Sequence, residues 1–256
     1  MIRDVNARLA ARERISDGIY HLTFECPEIA QSAAPGNFVL IKTTETTSPL
    51  LRRPLGILDA SPENGTFEVL FRVVGEGTEL LASASAGTCL SVRGPVGGSF
   101  SPAQNPRLWA VAGTLGIVPL LFLRSRCGGF ERLLLGVPNG TWREFAAWVA
   151  ERAPETELFS DDGSIGAKGF CIAGLEGHDL SCVSLVTCGP NPMMKALYAL
   201  YGSSCDDIQV SLEKRMGCGM GGCFGCVVET KTGRRRVCVD GPVFQAREVE
   251  WNELHL

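Results

Sequence analysis

The stretch Leu108-Trp-Ala-Val-Ala112-Gly113-Thr-Leu-Gly116-Ile-Val-Pro119 decides how the middle of this 256-residue chain folds. Its beginning is apolar and predicts a buried strand, and the glycines that follow predict a tight turn. The apolar residues after Gly116 predict a helix with Pro119 in its first turn, where proline is tolerated. A strand, a turn and a helix in this order are the repeating unit of a parallel sheet covered by helices.

The same pattern occurs twice more downstream. A predicted strand over 132–137 precedes Thr141-Trp-Arg-Glu144, which has the spacing of a helix capping box. A predicted strand over 183–188 precedes Gly189-Pro190-Asn191-Pro192 and an apolar helix over 193–201. Strands that alternate with helices in this way predict a mainly parallel sheet with helices on its faces.

The chain on either side of this region has a different character. Up to about Phe100, short alternating segments are separated by glycine and proline, which predicts a small antiparallel barrel or sandwich. The alternating segments lie at 5–11, 22–26, 38–42 and 67–74. From about Ser211 onward, glycine, cysteine and basic residues dominate. The chain is therefore divided into three parts.

The composition excludes several classes of protein. Twenty-four basic and 28 acidic residues give a net charge of −4 without long charged blocks, which argues against nucleic acid as a partner. The longest apolar run, 109–123, is interrupted by glycine and proline and is shorter than the roughly 20 residues of a membrane span. No secretory signal is visible at the start. We therefore expect a cytoplasmic protein that is not integral to a membrane.

Eleven cysteines in such a chain indicate a reducing compartment, where thiols stay free or bind metal. Seven are scattered, mostly in apolar stretches, and are expected to act as small hydrophobic side chains. These seven are Cys26, Cys89, Cys127, Cys171, Cys182, Cys188 and Cys205. The other four form Cys218-Gly-Met-Gly-Gly-Cys223-Phe-Gly-Cys226 and Cys238.

This C-x4-C-x2-C spacing, followed by a distant cysteine, is typical of plant-type [2Fe-2S] clusters. Four thiolates have to converge while the backbone turns tightly, and the many glycines around them permit such turns. Structural zinc is the alternative, but it usually uses paired short-spaced motifs, and only Cys223 and Cys226 form such a pair. The spacing predicts Cys218, Cys223, Cys226 and Cys238 as cluster ligands and leaves open which of them share an iron.

Two segments of the N-terminal part have groups that suit a pyrophosphate. Leu51-Arg-Arg53-Pro54-Leu55-Gly56-Ile57 lies between strand-like segments, and Phe71-Arg-Val-Val-Gly75-Glu-Gly77-Thr78 ends a strand in a glycine turn. Arginine forks and turn amides together bind phosphate oxygens. The alternative is an ordinary strand end and an ordinary hairpin turn.

Together with the cluster motif, these segments resemble the ferredoxin-NADP reductase-like flavoproteins that carry a C-terminal cluster. The motifs that carry the resemblance are Arg53-Pro54-Leu55-Gly56, Gly75-Glu-Gly77-Thr78, Gly94-Pro-Val-Gly97, Cys188-Gly189-Pro190-Asn-Pro-Met-Met194 and the segment from Cys218 to Pro242. Within that group the chain is most similar to the electron-transfer subunits of two-subunit bacterial dihydroorotate dehydrogenases. The resemblance covers nearly the whole chain.

The resemblance implies three domains: an FAD-binding antiparallel β-barrel over 1–101, a nicotinamide-nucleotide-binding α/β domain over 102–210 and a [2Fe-2S] domain over 211–256. It also implies an FMN-containing catalytic partner subunit in a heterotetramer. Electrons from dihydroorotate would cross the cluster to FAD and pass to NAD⁺ as a hydride, because flavin exchanges both single electrons and hydride. No side chain stands out as a general acid or base, and none of His21, His178 and His255 is given a role.

The resemblance also implies which residues hold each group. The predicted FAD residues are Arg53, Pro54, Leu55, Gly56, Leu70, Phe71, Arg72, Gly77 and Thr78. The predicted nicotinamide-nucleotide residues are Gly113, Thr114, Gly116, Cys188, Gly189 and Pro190.

Three positions depart from the family pattern. Members of the family usually have serine at the position of Gly56 and a run of three glycines where this chain has Ala112-Gly113-Thr114. They often have arginine at the position of Pro138. All three positions concern hydride exchange, whereas the cluster motif is intact. Two alternatives therefore stay open: a subunit of another complex, of the bifurcating NADH-ferredoxin oxidoreductase or sulfhydrogenase type, and a non-enzymatic partner subunit with a decayed NAD site.

Overall fold

The structure, a computed structural model, describes residues 3–102 and 107–254. Six strands of the N-terminal part form a closed barrel in the order β1-β2-β5-β4-β3-β6, and every neighbouring pair is antiparallel. They are β1 (Arg3–Ser16), β2 (Ile19–Glu25), β3 (Phe38–Ile41), β4 (Arg53–Ser61), β5 (Thr66–Arg72) and β6 (Cys89–Val96). Two short helices accompany them, α1 (Pro27–Ala30) and α2 (Glu76–Ser83). The predicted barrel is confirmed.

A seven-stranded sheet follows in the order β10-β9-β8-β7-β11-β12-β15, parallel except for the last pair. Its strands and the hairpin β13–β14 are β7 (Arg107–Gly113), β8 (Arg132–Val137), β9 (Thr156–Ser160), β10 (Ala167–Lys168), β11 (Val183–Cys188), β12 (Asp207–Ser211), β13 (Val227–Thr230), β14 (Gly233–Arg236) and β15 (Val243–Gln245). The helices are α3 (Ile117–Cys127), α4 (Arg143–Arg152) and α5 (Asn191–Tyr201). Short 3₁₀ turns occupy Thr114–Gly116, Gly140–Trp142, Cys171–Leu175 and Ala246–Glu248.

The strand order reverses between β7 and β11. From β7 the chain winds through β8, β9 and β10 towards one edge, whereas β11 lies on the other side of β7. Loops that follow neighbouring strands on the two sides of such a point diverge and leave a crevice. In open α/β sheets, ligands bind in that crevice, beyond the carboxyl ends of the strands.

Helix α3 joins the barrel to the sheet. Its Phe122 is fully buried within the barrel core, and its Ser125 hydroxyl donates to Asp59 of β4 at 3.0 Å. A Cβ built on Gly56 would lie 3.3 Å from Val118 of this helix. The first turn of α3 therefore packs directly against strand β4, and the two domains share one interface.

Three local predictions need correction. The Arg53–Gly56 segment is not a connector, because it forms the start of β4. The Gly75–Thr78 segment is not a hairpin turn, because it begins α2, a helix that the sequence pattern did not indicate. Thr141 does not cap α4: the side chain of Asn139 accepts the Thr141 N–H at 3.0 Å and begins the 3₁₀ turn before the helix.

The C-terminal segment is tied to both other parts. Strand β15 pairs with β12 at the edge of the sheet, which the three-part division did not predict. On the barrel side, the Gly98 N–H donates to the Gly241 carbonyl at 2.6 Å. Among the described residues, no helix is long and apolar enough to cross a membrane.

Candidate functional site

A cavity of about 360 Å³ lies between the barrel and the sheet. Eight of the nine predicted FAD residues line it, namely Arg53, Pro54, Leu55, Gly56, Leu70, Phe71, Arg72 and Thr78. They lie on β4, on β5 and in the first turn of α2, so the barrel brings together residues that are far apart in the sequence. The opposite wall is formed by Leu115 of the 3₁₀ turn before α3 and by Val118 and Pro119 in the first turn of α3.

The ninth predicted residue, Gly77, lies beneath Arg53. A Cβ on Gly77 would come within 2.8 Å of Arg53 Nε, so only glycine lets the guanidinium lie over the start of α2. Thr78 organises this helix start, because its hydroxyl oxygen accepts the Val74 N–H at 2.9 Å and donates to the Gly75 carbonyl at 2.8 Å. An arginine over a helix N-terminus is a cradle that fits a pyrophosphate.

The cavity has a further wall that sequence reasoning missed. The last residue of β12 and the residues after it line this wall, namely Ser211, Leu212, Glu213, Lys214 and Met216. The family resemblance includes this segment, but it assigns none of these residues a role. Their position could have indicated one, because the segment leads from a sheet strand straight to the first cluster cysteine.

Cys188 lines this cavity and not the nucleotide cavity described next. Its thiol is buried at the end of β11, where Cys188 is the register partner of Ser211 on β12. Burial raises the pKa of Cys188 far above its usual range, which keeps the thiol neutral. Cys188 is thus a neutral, packed group in the wall of the first cavity.

A second cavity, of about 290 Å³, lies at the carboxyl ends of β7, β8 and β9, at the reversal of strand order. Three predicted nucleotide residues line it, namely Gly113, Thr114 and Pro190. Pro138, Asp161 and Met193 also line it. The walls are largely apolar, and none of the described lining residues is basic. This cavity suits a flat, mostly uncharged ring system.

Two other predicted nucleotide residues, Gly116 and Gly189, lie behind the cavity wall. A Cβ on Gly116 would come within 2.1 Å of the Cys188 carbonyl oxygen, and a Cβ on Gly189 within 2.8 Å of the Gly113 nitrogen. These contacts bring the loop after β7 against the loop after β11. The two glycines therefore shape the cavity through close backbone packing.

The backbone at Thr114 adopts a left-handed conformation with φ of 49°. For a β-branched residue this region is strained, at a cost of about 1–2 kcal/mol. Thr114 is one of the three departures from the family pattern, in which glycine is usual. The chain therefore keeps the glycine-type backbone while carrying an unsuited side chain.

Replacing Thr114 with asparagine is expected to stabilise the protein by about 0.5–1 kcal/mol, because asparagine tolerates positive φ better than β-branched residues do. Urea denaturation of the purified protein measures the effect. Thr114→Val is the matched control, since it keeps the β-branch and should give no gain. Equal free energies of unfolding for the two variants would contradict the strain.

The predicted cluster cysteines form two pairs. The Cys218 sulfur accepts the N–H groups of Met220 and Cys223, each at 3.4 Å, and the Cys223 sulfur accepts those of Cys218 at 3.5 Å and Gly225 at 3.4 Å. Cys226 and Cys238 are buried, and the Cys226 thiol is one of the groups that raise the pKa of Cys238. This grouping fits two irons with two ligands each.

The titration behaviour of the pairs differs. The N–H group of Met220 and further backbone donors lower the pKa of Cys218 to about 6, so its thiolate is available at neutral pH. Burial, followed by the Cys226 thiol, raises the pKa of Cys238 to about 12. Four cysteine thiolates are the donor set that a plant-type [2Fe-2S] cluster uses.

The cluster loop is fixed to the barrel. Arg93 on β6 donates to the Cys218 carbonyl at 2.7 Å and pairs with Asp4 at 2.6 Å. This pairing with Arg93 holds the pKa of Asp4 below its usual value. A Cβ on Gly219 would meet Leu40 of β3 at 2.5 Å, so the loop lies directly on the barrel surface.

The described histidines lie away from these sites. His21 bonds to Glu68 at 2.8 Å and its ring contacts Trp148, while His178 packs edge-on against Trp109. His255 lies outside the described residues. The prediction that no histidine has a catalytic role stays a prediction.

Two protein families match the chain. The iron-sulfur cluster binding domain of dihydroorotate dehydrogenase B matches residues 213–250, and the oxidoreductase FAD-binding domain matches residues 6–100. These matches cover the cluster cysteines and the barrel residues around the first cavity. They confirm FAD and an iron-sulfur cluster as the cofactors and decide against zinc.

Solved structures share the fold. That of NADH-dependent reduced ferredoxin-NADP oxidoreductase, described in connection with flavin-based electron bifurcation, is 27% identical with a TM-score of 0.81 and covers 97% of this chain and 91% of its own. Phthalate dioxygenase reductase, whose modular structure serves electron transfer from pyridine nucleotides to [2Fe-2S], is 14% identical with a TM-score of 0.63, covering 89% of this chain and 87% of its own. The second likeness concerns the fold alone.

Curated relatives are more similar in sequence. The electron transfer subunit of dihydroorotate dehydrogenase B (NAD(+)) from Desulforamulus reducens is 33% identical over 98% of this chain and 100% of its own length. The same subunit from Geobacillus thermodenitrificans is 35% identical over 97% of this chain and 99% of its own length. Full-length similarity, both domain matches and the arrangement of cavities and cysteines agree, and the chain belongs to the family of dihydroorotate dehydrogenase B electron transfer subunits.

Proposed function

We propose that this chain passes electrons between an FMN-containing subunit that oxidises dihydroorotate and NAD, through a [2Fe-2S] cluster and FAD. One observation carries the proposal: a single segment forms a wall of the FAD cavity at Met216 and supplies the first cluster cysteine, Cys218, two residues later. The FAD, when bound, supplies the exchange between single electrons and hydride. The chain therefore places both redox groups on one short stretch of backbone.

The chain's own residues bind and orient these groups. Arg53 and the start of α2 hold the pyrophosphate, while Gly56 and Val118 form the wall between barrel and helix. Gly113 and Pro190 shape the adjoining nucleotide cavity. Because Cys188 lines the FAD cavity and Pro190, two residues later, lines the nucleotide cavity, a bound nicotinamide ring would approach the flavin along this loop.

The nucleotide cavity favours NAD over NADP. Asp161 follows β9 and lines the cavity, where its carboxylate suits a ribose 2′-hydroxyl and repels a 2′-phosphate. The neighbouring Asp162 has a different role, because it accepts the Ser164 N–H at 2.9 Å and shapes the turn. No basic side chain among the described lining residues compensates a second phosphate charge.

The cluster loop offers the surface for the partner subunit. Met220 and Phe224 on the loop, and Val239 beside it, are 51%, 63% and 44% exposed. Exposed apolar side chains around a redox site are typical of docking surfaces. We place the FMN-containing subunit here and the two subunit types in a heterotetramer.

The division into an FAD barrel over 1–101, a nucleotide domain over 102–210 and a cluster domain over 211–256 is part of the proposal. The family matches at 6–100 and 213–250 support its outer boundaries. None of the eleven cysteines forms a disulfide, which fits a reducing compartment such as the cytoplasm.

An anaerobic titration with NADH, followed by visible absorption, tests the proposal. We expect NADH to bleach both the flavin and the cluster bands of the purified chain, because hydride enters at the FAD and electrons continue to the cluster. NADPH is the matched control and should act at a much higher concentration. Intact bands that NADH fails to bleach would mean that Gly56, Thr114 and Pro138 mark a lost nucleotide reaction.

A second candidate is a subunit of an electron-bifurcating oxidoreductase. The likeness to NADH-dependent reduced ferredoxin-NADP oxidoreductase, at 27% identity over 97% of this chain, favours it. The two candidates differ in the partner. Co-purification with an FMN-containing subunit that reduces the cluster on addition of dihydroorotate supports the first, and a partner that is inert to dihydroorotate supports the second.

A further inference from the structure

An acidic side chain lines the FAD cavity without a role in binding. Glu213 lies two residues beyond the end of β12, on the cavity wall that also includes Cys188 and Lys214. Its side chain is exposed to the cavity and makes no hydrogen bond or ion pair with the described residues. A pyrophosphate-binding role is excluded, because a carboxylate repels phosphate.

The proposed function creates a need for a proton at this cavity. An iron-sulfur cluster passes electrons singly and without protons, whereas a hydride consists of two electrons and one proton. Each conversion of NAD⁺ to NADH therefore uses two electrons from the cluster and one proton from another source. In the reverse direction, the hydride leaves two electrons for the cluster and one proton to be removed.

The other titratable groups that face the cavity are poorly suited to this exchange. Arg53 on β4 and Arg72 on β5 carry guanidinium groups, which offer hydrogen-bond donors and no acceptor. The ammonium group of Lys214 likewise has no acceptor, and the thiol of Cys188 is buried and neutral. The turn before α3 and the first turn of α3 contribute only side chains that do not titrate to the described lining, namely Leu115, Val118 and Pro119.

Glu213 has the properties that the exchange requires. It reaches the cavity and the solvent, so it can take up a proton on one side and release it on the other. The cavity walls displace water around the carboxylate, and this desolvation raises the pKa of Glu213. A raised pKa favours the protonated form of the carboxyl group, so the group can hold a proton as well as release it.

We infer that the carboxyl group of Glu213 holds the proton that enters or leaves the FAD cavity when cluster electrons are converted to hydride. The inference rests on the proposed function and deepens it. The proton binds to a carboxylate oxygen of Glu213 when hydride is consumed, and it leaves that oxygen when hydride is made. Ser211 and Cys188 then serve only as packed neighbours.

Glu213→Gln tests this role, because it keeps the size and hydrogen-bonding capacity and removes the titration. The equilibrium measurement is the midpoint potential of the bound flavin as a function of pH. We expect a change of slope in the wild-type protein, where protonation of Glu213 is coupled to flavin reduction, and a plot without that change in Glu213→Gln. Glu213→Asp should restore it. Superimposable plots for the wild-type protein and Glu213→Gln would overturn the inference.

A rapid-mixing measurement separates this inference from the proposed function. After mixing with NADH, flavin bleaching reports hydride transfer and the later cluster bleaching reports electron passage with loss of the proton. We expect Glu213→Gln to slow cluster bleaching about 100-fold while flavin bleaching stays fast. Unchanged cluster bleaching would overturn the role of Glu213, whereas a wild-type flavin that NADH does not bleach would overturn the proposed function itself.

Discussion

Replacing Cys223 with serine is expected to abolish the visible absorption of the iron-sulfur cluster. A serine hydroxyl is a poor iron ligand, and the loop offers no spare thiol, because the neighbouring cysteines belong to the same predicted set. Cys223 also organises the loop, since its sulfur accepts N–H groups from Cys218 and Gly225. Iron and sulfide content per chain, with the absorption spectrum, measure the loss.

Cys89→Ser is the matched control. Cys89 is an exposed thiol on β6 outside the cluster motif, so its replacement should leave iron content and spectrum unchanged. FAD should remain in both variants, because none of the described cavity-lining residues is altered. A Cys223→Ser protein with the full cluster spectrum would remove this residue from the ligand set.

Replacing Gly116 with alanine is expected to destabilise the protein by about 3 kcal/mol and to lower its Tm by about 6–12 °C. The new Cβ would lie 2.1 Å from the Cys188 carbonyl oxygen, which belongs to backbone and cannot rotate away. The loops after β7 and β11 would have to separate. Since these loops shape the nucleotide cavity, NADH affinity should fall together with stability.

Gly98→Ala provides the comparison for this effect. A Cβ on Gly98 would lie 3.5 Å from the Gly241 carbonyl oxygen, an ordinary contact distance. Thermal unfolding should therefore change little in this variant. If Gly116→Ala unfolded at the same temperature as Gly98→Ala, the close approach of the two loops would be disproved.

Much of this architecture could be predicted from local sequence. The predicted strands over 132–137 and 183–188 agree with β8 and β11 because buried parallel strands are continuous apolar runs with clear glycine boundaries. The helix after Gly116 was also predicted, because it is an apolar run that begins directly after a glycine turn. The cysteine spacing predicted the cluster, since three of the four ligands lie close together in the sequence at a characteristic spacing.

The features that escaped prediction depend on tertiary contacts. Helix α2 is short and has Gly75 as its N-cap. Its first turn is completed by a hydrogen bond from Thr78 and is covered by Arg53 of strand β4. Strand β15 has only three residues and exists because the edge of β12 accepts it. The second wall of the FAD cavity arises where Glu213 and Met216 meet the barrel, which no local pattern reveals.

The pairing of β15 with β12 has a consequence for the protein before its cofactors are inserted. Strand β12 would be an open edge of the sheet without β15, and unpaired edges recruit strands from other molecules. Because the cluster cysteines precede β15 in the same segment, we expect the cluster to help hold β15 against β12. Preparations from iron-starved cells should therefore aggregate through β12 more than iron-replete ones do, which size-exclusion chromatography would measure.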